Sequence, residues 1–230
     1  MSALPQQPPV TEREHTEDNP SPPPKPRLRG WLHLGMTPAI TIAGLFLVAN
    51  GESAGMRLAC VVYVISAIML FGTSACYHRG SWGSGLLGVL RRLDHANIFV
   101  FIAGTYTPLA VGLLAGRSRV ILLVTVWTVA LLGVLFQMVW IGAPRWLLTS
   151  SYILMGWIAV GWLPQFWTAG GPGIVALIAA GGLCYSVGAV IYARKRPDPS
   201  PAWFGYHEIF HACTIAAALC HLVAIMIVAI

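Results

Sequence analysis

The chain has 230 residues, 57% of them apolar and only 10% charged, with a net charge of +6. Soluble domains carry about 25% charged residues, so this composition excludes a water-soluble globule and bulk disorder. It leaves an integral membrane protein, one whose apolar surface need not face water.

The first 29 residues stand apart. Eight of the 16 prolines lie there among Gln, Glu and Ser, with no apolar stretch to bury, so 1–29 reads as a disordered, Pro-rich cytoplasmic tail. It has no short apolar core of a secretory signal. His15 falls in this tail.

A spanning helix needs about 20 mostly apolar residues. Residues 30–51 supply the first span and 58–77 the second, which closes on His78 and Arg79. Residues 95–116 supply the third, opened by Asp94, and 120–143 the fourth. Residues 146–193 carry no charge and are too long for one crossing. Gly170-Gly171-Pro172 breaks them into a fifth and a sixth span, because Gly and Pro punctuate helices. The seventh occupies 206–230. The expected fold is therefore all-α, a seven-helix polytopic bundle over residues 30–230.

Within these spans Gly104-Thr105-Tyr106-Thr107-Pro108 predicts a kink or close helix packing, with Thr hydroxyls satisfying freed backbone groups. Gly181, Gly182, Gly188 and Ala189 predict helix contacts. Trp31, Trp140, Trp146, Trp167 and Trp203 fall near span ends, as an interfacial belt requires. The cysteines, odd in number and without a C-x-x-C pair, read as buried free thiols.

Cytoplasmic loops are enriched in Lys and Arg. With the N-terminus inside, eleven of the 14 bases are cytoplasmic and only Arg57, Arg117 and Arg119 are outside. The N-terminus is expected in the cytoplasm and the C-terminus outside. The positive charge thus reports topology; the bases form no stripe, no nucleic-acid signature accompanies them, and no nucleic-acid partner is expected.

Only four acids lie beyond the tail, namely Glu52, Asp94, Asp198 and Glu208. Ionisable groups at apolar spans are costly and ask for a function. The topology puts His78, Asp94, His207 and His211 at one depth, the cytoplasmic end, from three separate helices. His207 and His211 are four apart and share a helix face, and His78 supplies a third imidazole. Three His ligands suit Zn²⁺ with a fourth position open to water. Asp94 is then the candidate general base, and Ser74, four residues before His78, shares its face and orients the site. His33 and His95 read as interfacial or hydrogen-bonded side chains and not as ligands. His221, about 15 Å along the helix from His211, reads as an intrabundle hydrogen-bonding residue.

His207-Glu208-Ile209-Phe210-His211 also fits H-E-x-x-H, in which the Glu is the base of a metalloprotease. The segment enters a membrane span and lacks the usual downstream third ligand. Glu208 reads instead as a solvated acid at the cytoplasmic mouth.

Three blocks resemble a known family. They are Ser74-Ala75-Cys76-Tyr77-His78, then Leu93-Asp94-His95 with the run from Ile102 to Pro108, then His207-Glu208-Ile209-Phe210-His211. Together they are similar to the hemolysin III family, the bacterial branch of the progestin and adipoQ receptor proteins. In the first span Trp31-Leu32-His33-Leu34-Gly35 resembles that family's block only in part; the usual preceding acid and Asn are missing.

The resemblance implies a multi-pass plasma-membrane protein of seven helices with its N-terminus inside. It implies zinc on His78, His207 and His211, with Asp94 bonded to the zinc water, and no requirement for Glu208. The wider superfamily includes alkaline ceramidases, so hydrolysis of a ceramide-like lipid amide is the implied activity and a membrane lipid the implied substrate. The alternative is a non-enzymatic protein, receptor-like or cytolytic, with a structural zinc.

Overall fold

The computed structural model describes residues 26–140 and 142–230; the expected disorder of residues 1–25, and His15, lie outside them. The described chain is helical: α1 (Trp31–Asn50), α2 (Ala54–Arg79), α3 (Ser84–Leu113), α4 (Gly116–Val139), α5 (Arg145–Gly156), α6 (Leu163–Arg194) and α7 (Tyr206–Ala229), with a 3-10 segment, Trp157–Trp162, joining α5 to α6. Six stretches among the described residues are long and apolar enough to cross a membrane; the fifth is the continuous 50-residue run Arg145–Arg194.

That run does not lie straight. Gly171 has φ 74° and ψ 179°, a conformation open to glycine and strained for other residues. Side chains on either side of it meet: the Trp157 indole N–H donates to Ser186 Oγ at 2.9 Å, and the Arg145 guanidinium lies over the Tyr192 ring at 5.6 Å.

Helix α3 begins eleven residues before the expected start of the third span. Asp94 therefore sits inside the helix, behind Arg91 and Arg92, and is buried. Around Pro108, Thr105 and Thr107 donate to the carbonyls of Phe101 and Ala103 at 2.8 and 2.9 Å. These are the carbonyls four residues before each Thr, whereas the one Pro108 leaves without its helix donor is that of Gly104, so the hydroxyls do not take up the freed group as expected. Gly104 lets α3 close onto Ser66 of α2, whose Cβ lies 2.7 Å from where a Gly104 Cβ would stand. Of the glycines expected to make contacts in α6, Gly181 and Gly188 face His221 and Cys213 of α7, whereas Gly182 meets no neighbour; Ala189 is buried.

The core is built from α1, α2, α3 and α7 around Leu47, Tyr63, Phe101 and Ile225, all at or below 1% exposed. The outer surface is apolar; Val139 is 83% and Leu154 72% exposed. Large exposed aliphatics beside buried acids are the pattern of a protein solvated by lipid. The five belt tryptophans are all exposed at or beside helix ends. No cysteine is bridged, and only Cys60 is fully buried; Cys76, on the outer face near the end of α2, is exposed, so burial was expected too broadly.

Residues 26–29, expected as tail, are folded. Arg27 and Leu28 donate their N–H groups to the carbonyls of Ala202 and Trp203 at 2.9 and 3.2 Å, and the Arg27 guanidinium covers the Trp203 ring. Gly30 (φ 80°) turns this strap into α1 where any Cβ would stand 2.7 Å from the His78 Cβ. The strap thus crosses the end of α2 and the loop before α7.

Candidate metal centre

His78 occupies the last turn of α2 and His207 and His211 the first two turns of α7. Two helix ends thus bring imidazoles 129 residues apart in sequence together, with His78 Nε2 3.1 Å from His207 Nε2. One ring nitrogen from each of His78, His207 and His211 lies within 4.8 Å of the others. Tetrahedral nitrogen ligands at 2.0–2.1 Å from a metal are about 3.3 Å apart. The donor set therefore fits one small divalent ion, and no other group of three such side chains does so among the described residues.

The expected neighbours are present. Asp94, 8% exposed, puts Oδ2 3.9 Å from His78 Nε2. Ser74, whose hydroxyl is buried, stands beside the Asp94 carboxyl as its hydrogen-bonding neighbour. All four sequence-selected ionisable groups, and Ser74, converge at one end of the bundle.

Two further residues belong to this centre. His33 is not interfacial: it is 2% exposed, and its ring stacks on His211 at 3.7 Å with the planes 12° apart. The parallel ring braces His211 face-on. Both His33 nitrogens are buried without a partner. The sequence signals were a histidine in the first turn of a mostly apolar helix and its place in the Trp31–Gly35 block with its partial family resemblance.

Glu208 is not solvated either; it is 0% exposed. Its Oε2 accepts the N–H of Gly205 at 2.8 Å, closing the N-terminus of α7, while Oε1 pairs with Arg29 of the strap. A Glu three residues into a helix is a capping signature, and this reading accounts for H-E-x-x-H without a catalytic Glu. The cap fixes the turn that carries His207.

The site opens into a cavity among α3, α5, α6 and α7. Ser74, Asp94, His207 and His211 line one end, and Leu109 and Phe166 the other. Leu109 is fifteen residues beyond Asp94, about 22 Å along the helix. His95 also lines it, and its carbonyl accepts the Tyr152 hydroxyl at 3.2 Å. The long wall between the two ends is mostly aliphatic and aromatic, the chemistry of an alkyl-chain site. His221, far along α7, is hydrogen-bonded within the bundle as expected, its Nε2 3.2 Å from the Ile178 carbonyl.

Comparison with known proteins shows the family. The profile described as Haemolysin-III related matches residues 23–222. The chain is 31% identical over 182 residues to the Hemolysin-3 homolog of Bacillus subtilis (strain 168), covering 79% of this chain and 81% of that protein. It is 33% identical over 168 residues to Hemolysin-3 of Bacillus cereus, covering 72% and 75%. A more distant likeness, 23% over 176 residues, is to Progestin and adipoQ receptor-like protein 1 of Caenorhabditis elegans, covering 69% of this chain and 41% of that one. The chain belongs to the haemolysin-III-related family.

Proposed function

We propose that this multi-pass membrane protein of the haemolysin-III-related family is a zinc-dependent hydrolase of a lipid amide, such as a ceramide-like substrate. The observation that carries the reading is the meeting of three imidazoles beside one buried carboxyl at the head of an apolar cavity. His78, His207 and His211 would hold the ion, leaving a fourth position open. Zn²⁺ bound there supplies a polarised carbonyl and a water that ionises near pH 7. Asp94 takes the water's proton and returns it to the leaving amine. Ser74 steadies the Asp94 carboxyl, and His33 braces His211 by stacking. The cavity seats the alkyl chain so that the scissile carbonyl stays at the polar end.

The topology follows the same reading. Seven crossings, with the N-terminus cytoplasmic and the C-terminus outside, are supported by the turn at Gly171, by the Trp157–Ser186 and Arg145–Tyr192 pairings across it, and by the eleven-to-three distribution of bases. The site then lies at the cytoplasmic leaflet of the plasma membrane.

The test is elemental analysis of the purified protein followed by fatty-acid release from ceramide, with and without chelation. About one zinc per chain and chelator-sensitive release are expected. Absence of zinc refutes the metal assignment. Tightly held zinc without release from any lipid amide refutes the hydrolase and leaves zinc as a staple between α2 and α7, as a non-enzymatic receptor-like or cytolytic protein would use it.

A further inference from the structure

A second polar feature lies in the middle of the cavity, well away from the metal ligands. His221 and Tyr185, from α7 and α6, both line the cavity wall with ring centroids 5.7 Å apart. The Ile178 carbonyl near His221 Nε2 can only accept, so Nε2 carries the proton and Nδ1 is left as a bare acceptor. That Nδ1 is buried with no partner. The Tyr185 hydroxyl is likewise buried and unpartnered. The two residues that carry this free acceptor and this free donor thus line the same apolar space. Gly181 is what admits His221, since a Cβ there would stand 3.0 Å from the imidazole Cε1 and nearer still to Cδ2 and Nε2.

Buried polar groups are nearly always paired, and unpaired ones point to a ligand or water. One hydroxyl satisfies both groups at once: its O–H donates to His221 Nδ1 while its oxygen accepts from Tyr185 O–H. An ester or ketone oxygen can accept but cannot donate to Nδ1. We propose that His221 and Tyr185 form a subsite for a hydroxyl group on the lipid chain, about 15 Å from His211 by the ten residues between them. The ligand class is a long-chain lipid hydroxylated near its middle. This deepens the lipid-hydrolase reading and rests on it only in taking the cavity as the lipid site; the metal plays no part.

The experiment is displacement of a pyrene-labelled fatty acid from the purified full-length protein by stearate and by 12-hydroxystearate. The wild type should favour 12-hydroxystearate by roughly tenfold, the effect of one or two hydrogen bonds. Tyr185→Phe, which removes a single oxygen, should abolish the preference without weakening stearate binding. His221→Phe should do the same, and if that variant fails to fold the Tyr185→Phe result decides. Tyr63→Phe is the control: Tyr63 also has a buried, unpartnered hydroxyl but does not line the cavity, so the preference should persist.

Equal displacement by the two acids, as a trapped water between His221 and Tyr185 would give, overturns the subsite and leaves the lipid cavity standing. A preference that survives Tyr185→Phe, or is lost in Tyr63→Phe, also overturns it. Failure of both acids to displace the probe overturns the subsite and the lipid reading together, while zinc content and binding remain independently measurable.

Discussion

Removing Arg29 tests whether the N-terminal strap holds the start of α7. In the Arg29–Glu208 pair the Glu208 side chain is 1% exposed and the Arg29 side chain 18%. The two partners should therefore respond unequally. Arg29→Ala leaves a carboxylate in the interior with only the Gly205 N–H to answer it. Breaking a buried pair in this way costs about 3–5 kcal/mol. Glu208→Gln keeps an acceptor for Gly205 and leaves the guanidinium, which water can reach, without its counter-charge; about 1 kcal/mol is expected. The double variant, with neither charge, should lie near Glu208→Gln alone. At about 2–4 °C per kcal/mol for a chain of this size, Arg29→Ala should unfold some 6–20 °C below wild type. Thermal unfolding of all four proteins in one detergent closes the cycle. Equal losses in the two single variants, or additivity in the double, would refute the claim that Glu208 is a buried charge neutralised by the strap.

Other outcomes follow from the same contacts. Asp94→Asn should keep its zinc and its melting temperature while amide hydrolysis falls at least about a hundredfold, the usual yield of a general base; retained turnover removes Asp94 from that role. His207→Ala should lose zinc by elemental analysis and melt at a lower temperature, because an ion held from α2 and α7 favours the folded state by mass action; unchanged melting with the metal gone argues against stapling. Gly104→Val should destabilise by about 1–3 kcal/mol, since its side chain must displace Ser66 where α2 meets α3; unfolding indistinguishable from wild type would show that the helices part freely there.

Much of this protein is written in one dimension. A charge-poor chain of apolar runs has no soluble solution, so a multi-pass helical membrane protein follows from composition alone. The break at Gly170-Gly171-Pro172 was legible because the local chemistry of Gly and Pro needs no tertiary partner. His207 and His211 were legible as a pair because four residues return a helix to the same face. His78 and Asp94 could be matched to them through depth, since alternating crossings bring alternate span ends to the same leaflet.

Other features were settled by packing. In lipid the outward face of a helix is as apolar as its buried face, so these spans carry no pattern saying which side meets which neighbour. The stacking of His33 on His211, the burial of Glu208 under Arg29 across 179 residues of sequence, and the nearness of the Tyr185 and His221 rings along one cavity therefore could not be read from the order of residues. They depend on how helices rotate about their axes, and that rotation is fixed by close contacts such as Gly104 against Ser66 and Gly188 against Cys213, which exist only once the bundle has assembled.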